Sequence, residues 1–134
     1  MTIDELYIGQ CCSLTKRFST EEVNSFADLS LDNNPLHVDK EYAEKSVFKS
    51  PIVHGFLSGS LFSAIIGTML PGEGSVYLGQ TLNFRKPVFH GQLITATVKV
   101  IEIRKDKPIV KLSTICYNEV GDIVIDGEAI VKLV

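Results

Sequence analysis

The sequence predicts an α+β protein in which one long buried helix packs against a curved antiparallel sheet. The helix is predicted over residues 55–70, where apolar side chains leave almost no polar face, and a helix that is apolar all round is usually buried all round. From residue 76 onward apolar and polar residues alternate, with turn signals at hairpin-like intervals, which indicates antiparallel strands. A sheet that wraps around the helix would cover all of its sides.

The size and composition of the chain are those of one globular domain. It has 134 residues, of which 45% are apolar and 22% are charged, so we expect residues 1–134 to form a single domain. The net charge of −3 predicts no nucleic-acid partner and no membrane partner. Residues 55–70 are too few to span a bilayer, which takes about 20 residues. Residues 1–5 lack the features of a signal peptide, so we expect a cytoplasmic protein.

The first part of the chain is predicted to contain one strand and two short helices. Residues 6–18 are predicted as the strand. Ser19 and Glu22 have the spacing of a capping box, in which each residue satisfies a backbone N–H of the other, and this predicts a helix start. Asp39 can cap a second short helix over residues 40–45.

The alternating part of the chain is predicted to form four strands. Turn residues separate them at hairpin-like spacing, and the strands cover residues 76–84, 93–104, 109–118 and 123–134. A sheet with free edges tends to pair with other chains. Because two copies that pair edge to edge remove this hazard, we expect a homodimer.

A polar loop before the long helix carries the candidate catalytic residues. Asp32 is a carboxylate at neutral pH, whereas His37 can bind or release a proton near neutrality. Pro35 restricts the loop and Asn34 can tie it to itself through an Asx turn, so the two side chains can be aimed at one point. A water held between a carboxylate and an imidazole is a ready nucleophile. The same spacing is also compatible with a surface turn.

The long helix offers further candidates. Gly55 lies where a helix presents unpaired N–H groups, which can bind an oxyanion, although glycine is also a permissive helix start. Ser63 could orient Asp32 or bond to a carbonyl of its own helix. His54 could reach a ligand or close the loop through a hydrogen bond, and His90 is predicted to be an exposed turn residue.

Nothing in the sequence predicts a metal or redox site. The three cysteines and three histidines show neither C-x-x-C nor H-E-x-x-H spacing, so we expect buried structural cysteines and no bound metal. Basic residues that flank turns, among them Arg85 and Lys86, could meet phosphates, but charge at turns is usually solvated.

Taken together, these segments resemble the MaoC-like hydratases, and most closely the single-domain (R)-specific enoyl-CoA hydratases, some of which feed polyhydroxyalkanoate synthesis. The D-x-N-P-x-H block followed by I-V-H-G is specific in combination. The family pattern often has Gly before the Asp, where this chain has Leu31. The resemblance spans nearly the whole chain and covers Gly9-Gln10, Arg17-Phe18 and residues 32–37, 51–55, 60–63, 77–80, 86–89 and 127–129.

The resemblance implies a hot-dog fold, a homodimer, coenzyme A thioesters as ligands, and no cofactor apart from the coenzyme A of the substrate. It implies Asp32 and His37 as the catalytic pair, the Gly55 N–H as the donor to the thioester oxygen, and Ser63 and Asn34 as further substrate-binding residues. The implied reaction is reversible addition of water to trans-2-enoyl-CoA, giving (R)-3-hydroxyacyl-CoA. An acyl-CoA thioesterase on the same fold and a non-catalytic acyl-CoA-binding module stay open as alternatives.

Overall fold

A computed structural model describes residues 1–134 as six strands and four α-helices. A 3-10 turn at Ile3–Glu5 precedes them. In chain order the elements are β1 (Cys11–Arg17), α1 (Thr20–Ser30), α2 (Pro35–Val38), α3 (Lys40–Glu44), α4 (Gly55–Thr68), β2 (Ser75–Gln80), β3 (Asn83–Phe84), β4 (Leu93–Arg104), β5 (Ile109–Asn118) and β6 (Ile123–Leu133).

The strands form one antiparallel sheet in the order β1-β4-β5-β6-β2, with β3 also paired to β6. The predicted strand over residues 76–84 is thus divided into two. At the division the Thr81 N–H donates to the Glu128 carbonyl, and the Glu128 N–H donates to Thr81 Oγ1, each at 2.9 Å. A Cβ at Gly127 would lie 1.8 Å from the Thr81 carbonyl oxygen, so only glycine allows the chain to cross β6 this closely.

The core lies between α4 and the concave face of the sheet, as the alternating pattern predicts. From Ile94 to Val100 every second residue of β4 is fully buried, and these residues are Ile94, Ala96, Val98 and Val100. They belong to one apolar cluster with the inward face of α4, which consists of Leu61, Phe62, Ile65 and Ile66. This packing fixes the position of α4, and therefore of its N-terminus.

The predicted complete burial of α4 is wrong for a single chain, because the sheet does not close around the helix. Phe56 is 71% exposed, and Ser60, Ser63 and Gly67 continue an exposed stripe on the same side of the helix. Small and apolar residues on this stripe account for the absence of a polar face. That absence therefore does not indicate complete burial of α4. No helix combines the length and apolarity needed to cross a membrane.

The predicted helix caps are confirmed. Ser19 Oγ accepts the Glu22 N–H at 3.1 Å, and a Glu22 carboxylate oxygen accepts the Ser19 N–H at 3.0 Å, so α1 begins with a complete capping box. Asp39 caps α3 by accepting the Tyr42 N–H at 3.1 Å. The single turn α2 lies within the segment that was predicted to be loop, and Pro35 occupies its first position.

Candidate active site

The loop between α1 and α2 is held by its own side chains. Leu31 ends α1 with φ of 69° and ψ of 11°, a left-handed conformation that favours glycine and that costs another residue roughly 1 kcal/mol. Asp32 Oδ1 accepts the Asn34 N–H at 3.2 Å, and Asn34 Oδ1 accepts the Leu36 N–H at 3.1 Å. The loop therefore takes the shape that a glycine before Asp32 would allow, although Leu31 stands there.

His37 is oriented by the backbone of the segment that precedes α4. Its Nδ1 lies 2.8 Å from the Ile52 carbonyl oxygen. A carbonyl can only accept, so Nδ1 carries the proton and the neutral ring leaves Nε2 with a free lone pair. The Ile52 N–H in turn donates to the Leu36 carbonyl at 3.1 Å. These two bonds attach α2 to the chain beside α4 and leave His37 Nε2 available as a base.

The buried side chain of His54 contacts both candidate catalytic residues. Its Nε2 donates to the Asp32 backbone carbonyl at 3.0 Å. Its ring is stacked on the His37 ring, with centroids 3.9 Å apart and planes at 28°, and the Phe26 ring meets it edge-on at 4.9 Å. His54 is 1% exposed, so it holds the backbone of Asp32 and the plane of His37 from a rigid position.

The side chains of Asp32, His37 and His54 converge. One carboxylate oxygen and one nitrogen from each imidazole lie within 4.8 Å of one another, with Asp32 exposed and His37 half-buried. The predicted meeting of a carboxylate and an imidazole is therefore present in the fold. The same three side chains could hold a metal ion, because carboxylate and imidazole are also metal ligands.

The surroundings of His37 favour its neutral form. Burial lowers the pKa of His37 below its usual value, and the nearby His54 lowers it further. The Ile52 carbonyl and the Asp32 carboxylate act in the opposite direction, because both stabilise the charged ring. The net pKa is lowered, so His37 is available as a proton acceptor at neutral pH.

The N-terminus of α4 provides hydrogen-bond donors beside this pair. The N–H groups of Leu57 and Ser58 both donate to the His54 carbonyl at 3.1 Å, whereas those of Gly55 and Phe56 have no acceptor within the chain. A helix start with free N–H groups attracts negative charge. A Cβ at Gly55 would lie 2.5 Å from the Phe84 ring, so glycine permits this aromatic ring to approach the helix start.

A cavity of about 340 Å³ lies beside these donors, within the size range of small-molecule sites. Its wall is mainly apolar, with polar groups from His37, the first turn of α4, Arg85 and Lys86. The lining residues are His37, Phe48, Ile52, Val53, Gly55, Phe56, Ser58, Phe84, Arg85, Lys86, Pro87, Val88 and Ile125. An apolar chain with one polar reactive end would match this distribution.

Two predicted site residues do not join the others in a single chain. Ser63 is exposed and does not line the cavity. At a rise of 1.5 Å per residue it lies about 12 Å along α4 from Gly55. Asn34 also lies outside the cavity, and its side-chain oxygen caps α2 through Leu36. Within one chain Asn34 is therefore a loop-forming residue, and Ser63 belongs to the exposed stripe of α4.

Other residues have a place at or near the site that sequence reasoning missed. Ser58 lines the cavity, and its spacing of three from Gly55 was the only signal for this. His90 lies in a turn, as predicted, but it is half-buried and its Nδ1 is bonded to Thr20 Oγ1 at 3.1 Å, so its predicted exposure is wrong. Burial also lowers the pKa of His90.

The two basic residues at the cavity are paired with acidic residues. Arg85 Nε lies 3.0 Å from Asp126 Oδ2, and Lys86 Nζ lies 3.0 Å from Asp122 Oδ2. The predicted solvation of these charges is therefore correct only in part, because all four side chains are partly exposed but each charge has a partner.

A curved antiparallel sheet packed against one long helix, with Asp32 and His37 converging near the start of that helix, defines a hot-dog protein with a candidate catalytic site. The chain belongs to the MaoC-like family, because the family model described as "MaoC like domain" matches residues 10–119.

Similar proteins agree with this assignment. The chain is 50% identical over 133 residues to the (R)-specific enoyl-CoA hydratase of Aeromonas caviae, covering 99% of each protein. It is 43% identical over 127 residues to a mitochondrial 3-hydroxyacyl-[acyl-carrier-protein] dehydratase of Arabidopsis thaliana, covering 92% of this chain and 75% of that protein.

Solved structures confirm the predicted hot-dog fold. The (R)-hydratase from A. caviae involved in PHA biosynthesis matches with a TM-score of 0.94 at 50% identity, over 96% of this chain and 98% of that chain. R-hydratase PhaJ1 from Pseudomonas aeruginosa, in the unliganded form, matches with a TM-score of 0.93 at 41% identity, over 98% of this chain and 84% of that chain.

The pKa of His37 can be measured by NMR titration of its ring protons. We expect a midpoint below the ordinary imidazole value of 6.5, so the neutral base persists to lower pH than an exposed histidine would allow. Asp32→Asn lowers the midpoint further, because it removes a charge that stabilises the imidazolium. Asp106→Asn, in the turn after β4, leaves it unchanged. A midpoint at or above 6.5 contradicts this description of the site.

Proposed function

We propose that this protein is a hydro-lyase that adds water reversibly to trans-2-enoyl-CoA, giving (R)-3-hydroxyacyl-CoA. The observation that carries the proposal is that Asp32 converges with His37, and that His37 lines an apolar cavity together with Gly55, whose N–H is free. The names of the A. caviae and P. aeruginosa relatives support the reaction class and its (R) stereochemistry.

The geometry accounts for the first step. Water lies between the Asp32 carboxylate, which accepts one of its protons in a hydrogen bond, and His37 Nε2, which removes the other. The water oxygen forms a bond to the β-carbon of the enoyl thioester. The electron pair of the carbon–carbon double bond moves toward the thioester, and negative charge develops on the thioester oxygen.

The helix start stabilises that charge. The Gly55 N–H, supported by the N-terminal end of α4, donates to the thioester oxygen. The proton taken from water returns to the α-carbon from the Asp32–His37 pair, which completes the addition. These steps use only side chains and backbone groups of the chain, so we propose that no metal or further cofactor takes part.

The shape of the cavity supports an acyl thioester as the substrate. Its apolar wall suits the acyl chain, and its polar end suits the thioester. The relative from A. thaliana is named for an acyl-carrier-protein substrate, and the thioester chemistry at the reacting carbons is the same for both carriers. A thioesterase would direct the same water to the carbonyl carbon instead of the β-carbon.

Two variants test the assignment of the pair. We expect Asp32→Asn and His37→Gln each to reduce turnover of trans-2-butenoyl-CoA by about a hundredfold or more, because each removes one partner of the water. Circular dichroism should show an unchanged fold, and Asp106→Asn serves as a distant matched control. Near-normal turnover by either variant contradicts the assignment.

The same assay separates the proposed reaction from its rivals. Loss of the enone absorbance without release of free thiol is the result expected for hydration. Release of thiol identifies a thioesterase. A thermal shift with acyl-CoA, but no change in absorbance or thiol, identifies a binding module.

We propose that the protein acts as a homodimer. The edge strand β2 exposes Val76, Tyr77 and Leu78, which are 43%, 38% and 52% exposed, and one side of β2 has no partner strand. The exposed stripe of α4, which includes Ser63, offers a second uncovered surface. A second copy would cover such an edge and limit unwanted pairing.

Sedimentation velocity tests the dimer. We expect a species of twice the 14.8 kDa chain mass, and we expect Leu78→Lys to shift it toward the monomer, because the substitution places a charge on the apolar edge. Lys99→Glu, on the inner strand β4, is the control for a change of charge. A wild-type monomer at micromolar concentration would rule the proposal out.

A further inference from the structure

The first turn of α4 contains a buried hydroxyl with no partner in the chain. Ser58 is 1% exposed, and its Oγ makes no hydrogen bond to any other residue. Buried polar atoms are nearly always paired. Two further buried side-chain atoms are unpaired, His54 Nδ1 and His90 Nε2, but neither of those residues lines the cavity and Ser58 does.

Two other hydroxyls of α4 bond to carbonyls of their own helix, whereas the Ser58 hydroxyl does not. Ser60 Oγ donates to the Leu57 carbonyl, and Thr68 Oγ1 donates to the Ala64 carbonyl, which is the usual way for a helical hydroxyl to satisfy itself. The carbonyl one turn before Ser58 belongs to His54, and it already accepts two backbone N–H groups. The Ser58 hydroxyl is therefore left for a partner in the cavity.

The position of Ser58 indicates which group that partner is. Ser58 lies three residues after Gly55, so the two residues share one face of the helix. A helical Cα–Cβ bond is tilted toward the helix N-terminus, which brings the hydroxyl toward the free N–H groups of Gly55 and Phe56. All three residues line the same cavity.

We propose that Ser58 is a further catalytic residue, whose hydroxyl donates a hydrogen bond to the thioester oxygen beside the Gly55 N–H. This inference rests on the proposed hydration function. The Ser58 proton is shared with the oxygen and is not transferred, so the hydroxyl adds no step to the reaction. Because negative charge grows on that oxygen during addition, the bond is stronger in the transition state than in the bound substrate. Ser58 therefore acts mainly on kcat and little on KM.

Steady-state kinetics with trans-2-butenoyl-CoA test the proposal. We expect Ser58→Ala to reduce kcat by about tenfold to a hundredfold with KM unchanged, because one donor to the developing oxyanion is lost. Thr68→Ala removes an exposed hydroxyl at the other end of the same helix, outside the cavity, and is expected to match the wild type. Ser58→Cys fills the same space with a slightly larger side chain that donates weakly, so the same kind of loss is expected without a cavity.

A spectroscopic measurement separates this role from a structural one. The carbonyl stretch of bound butanoyl-CoA, labelled with ¹³C at the thioester, reports how strongly the oxygen is hydrogen-bonded. We expect the wild type and Thr68→Ala to lower this frequency equally, and both Ser58 variants to lower it less. A merely structural role would change the melting temperature and leave the frequency of the bound ligand at its wild-type value.

The outcomes distinguish the two proposals. If the wild type hydrates the substrate and Ser58→Ala retains both its kcat and its carbonyl frequency, the role of Ser58 is overturned and the proposed function stands. If the wild type does not hydrate any enoyl thioester while the chain is folded, the proposed function fails and the role of Ser58 fails with it.

Discussion

The hydrogen bond from His37 Nδ1 to the Ile52 carbonyl is the interaction on which the site depends. It fixes the tautomer of His37, because a carbonyl can only accept, and it thereby leaves Nε2 free to receive a proton. The same peptide segment donates to the Leu36 carbonyl and pairs with Phe89 of the strand connection. The backbone of Ile52 therefore links α2, the approach to α4 and the connection between β3 and β4.

Rigidity and a neutral base follow from this arrangement. The His54 ring is stacked on the His37 ring and its Nε2 donates to the Asp32 backbone carbonyl, so one buried side chain holds both the His37 ring and the backbone of Asp32. Burial keeps the His37 pKa low, and the exposed Asp32 carboxylate partly offsets this effect. The two residues thus differ in burial, and His37 is the one whose neutral form its surroundings favour.

The strand bounds and helix caps that depend on local chemistry and periodicity could be predicted from the sequence. The bounds of β4 and β5 are as predicted, because strict alternation fixes which residues face α4, and the caps of α1 and α3 follow from short-range side-chain bonds. The proline-containing loop left the convergence of Asp32 and His37 open beside a surface turn, and the family resemblance favoured convergence. The resemblance also placed Ser63 in a site that it does not reach within one chain, and composition could not reveal which stripe of α4 stays uncovered. The stacked position of His54 depends on contacts between distant segments, which local patterns do not encode.

The most direct test is the ring tautomer of His37, read from ¹⁵N chemical shifts and long-range ¹H–¹⁵N couplings above its titration midpoint. The structure predicts a proton on Nδ1 and an unprotonated Nε2, which is the less common tautomer of a free imidazole. It also predicts that this tautomer persists in Ser60→Ala, which leaves the loop untouched. A proton on Nε2 in the folded protein would mean that the Ile52 bond is absent, and the proposed base would then have no lone pair to offer the water.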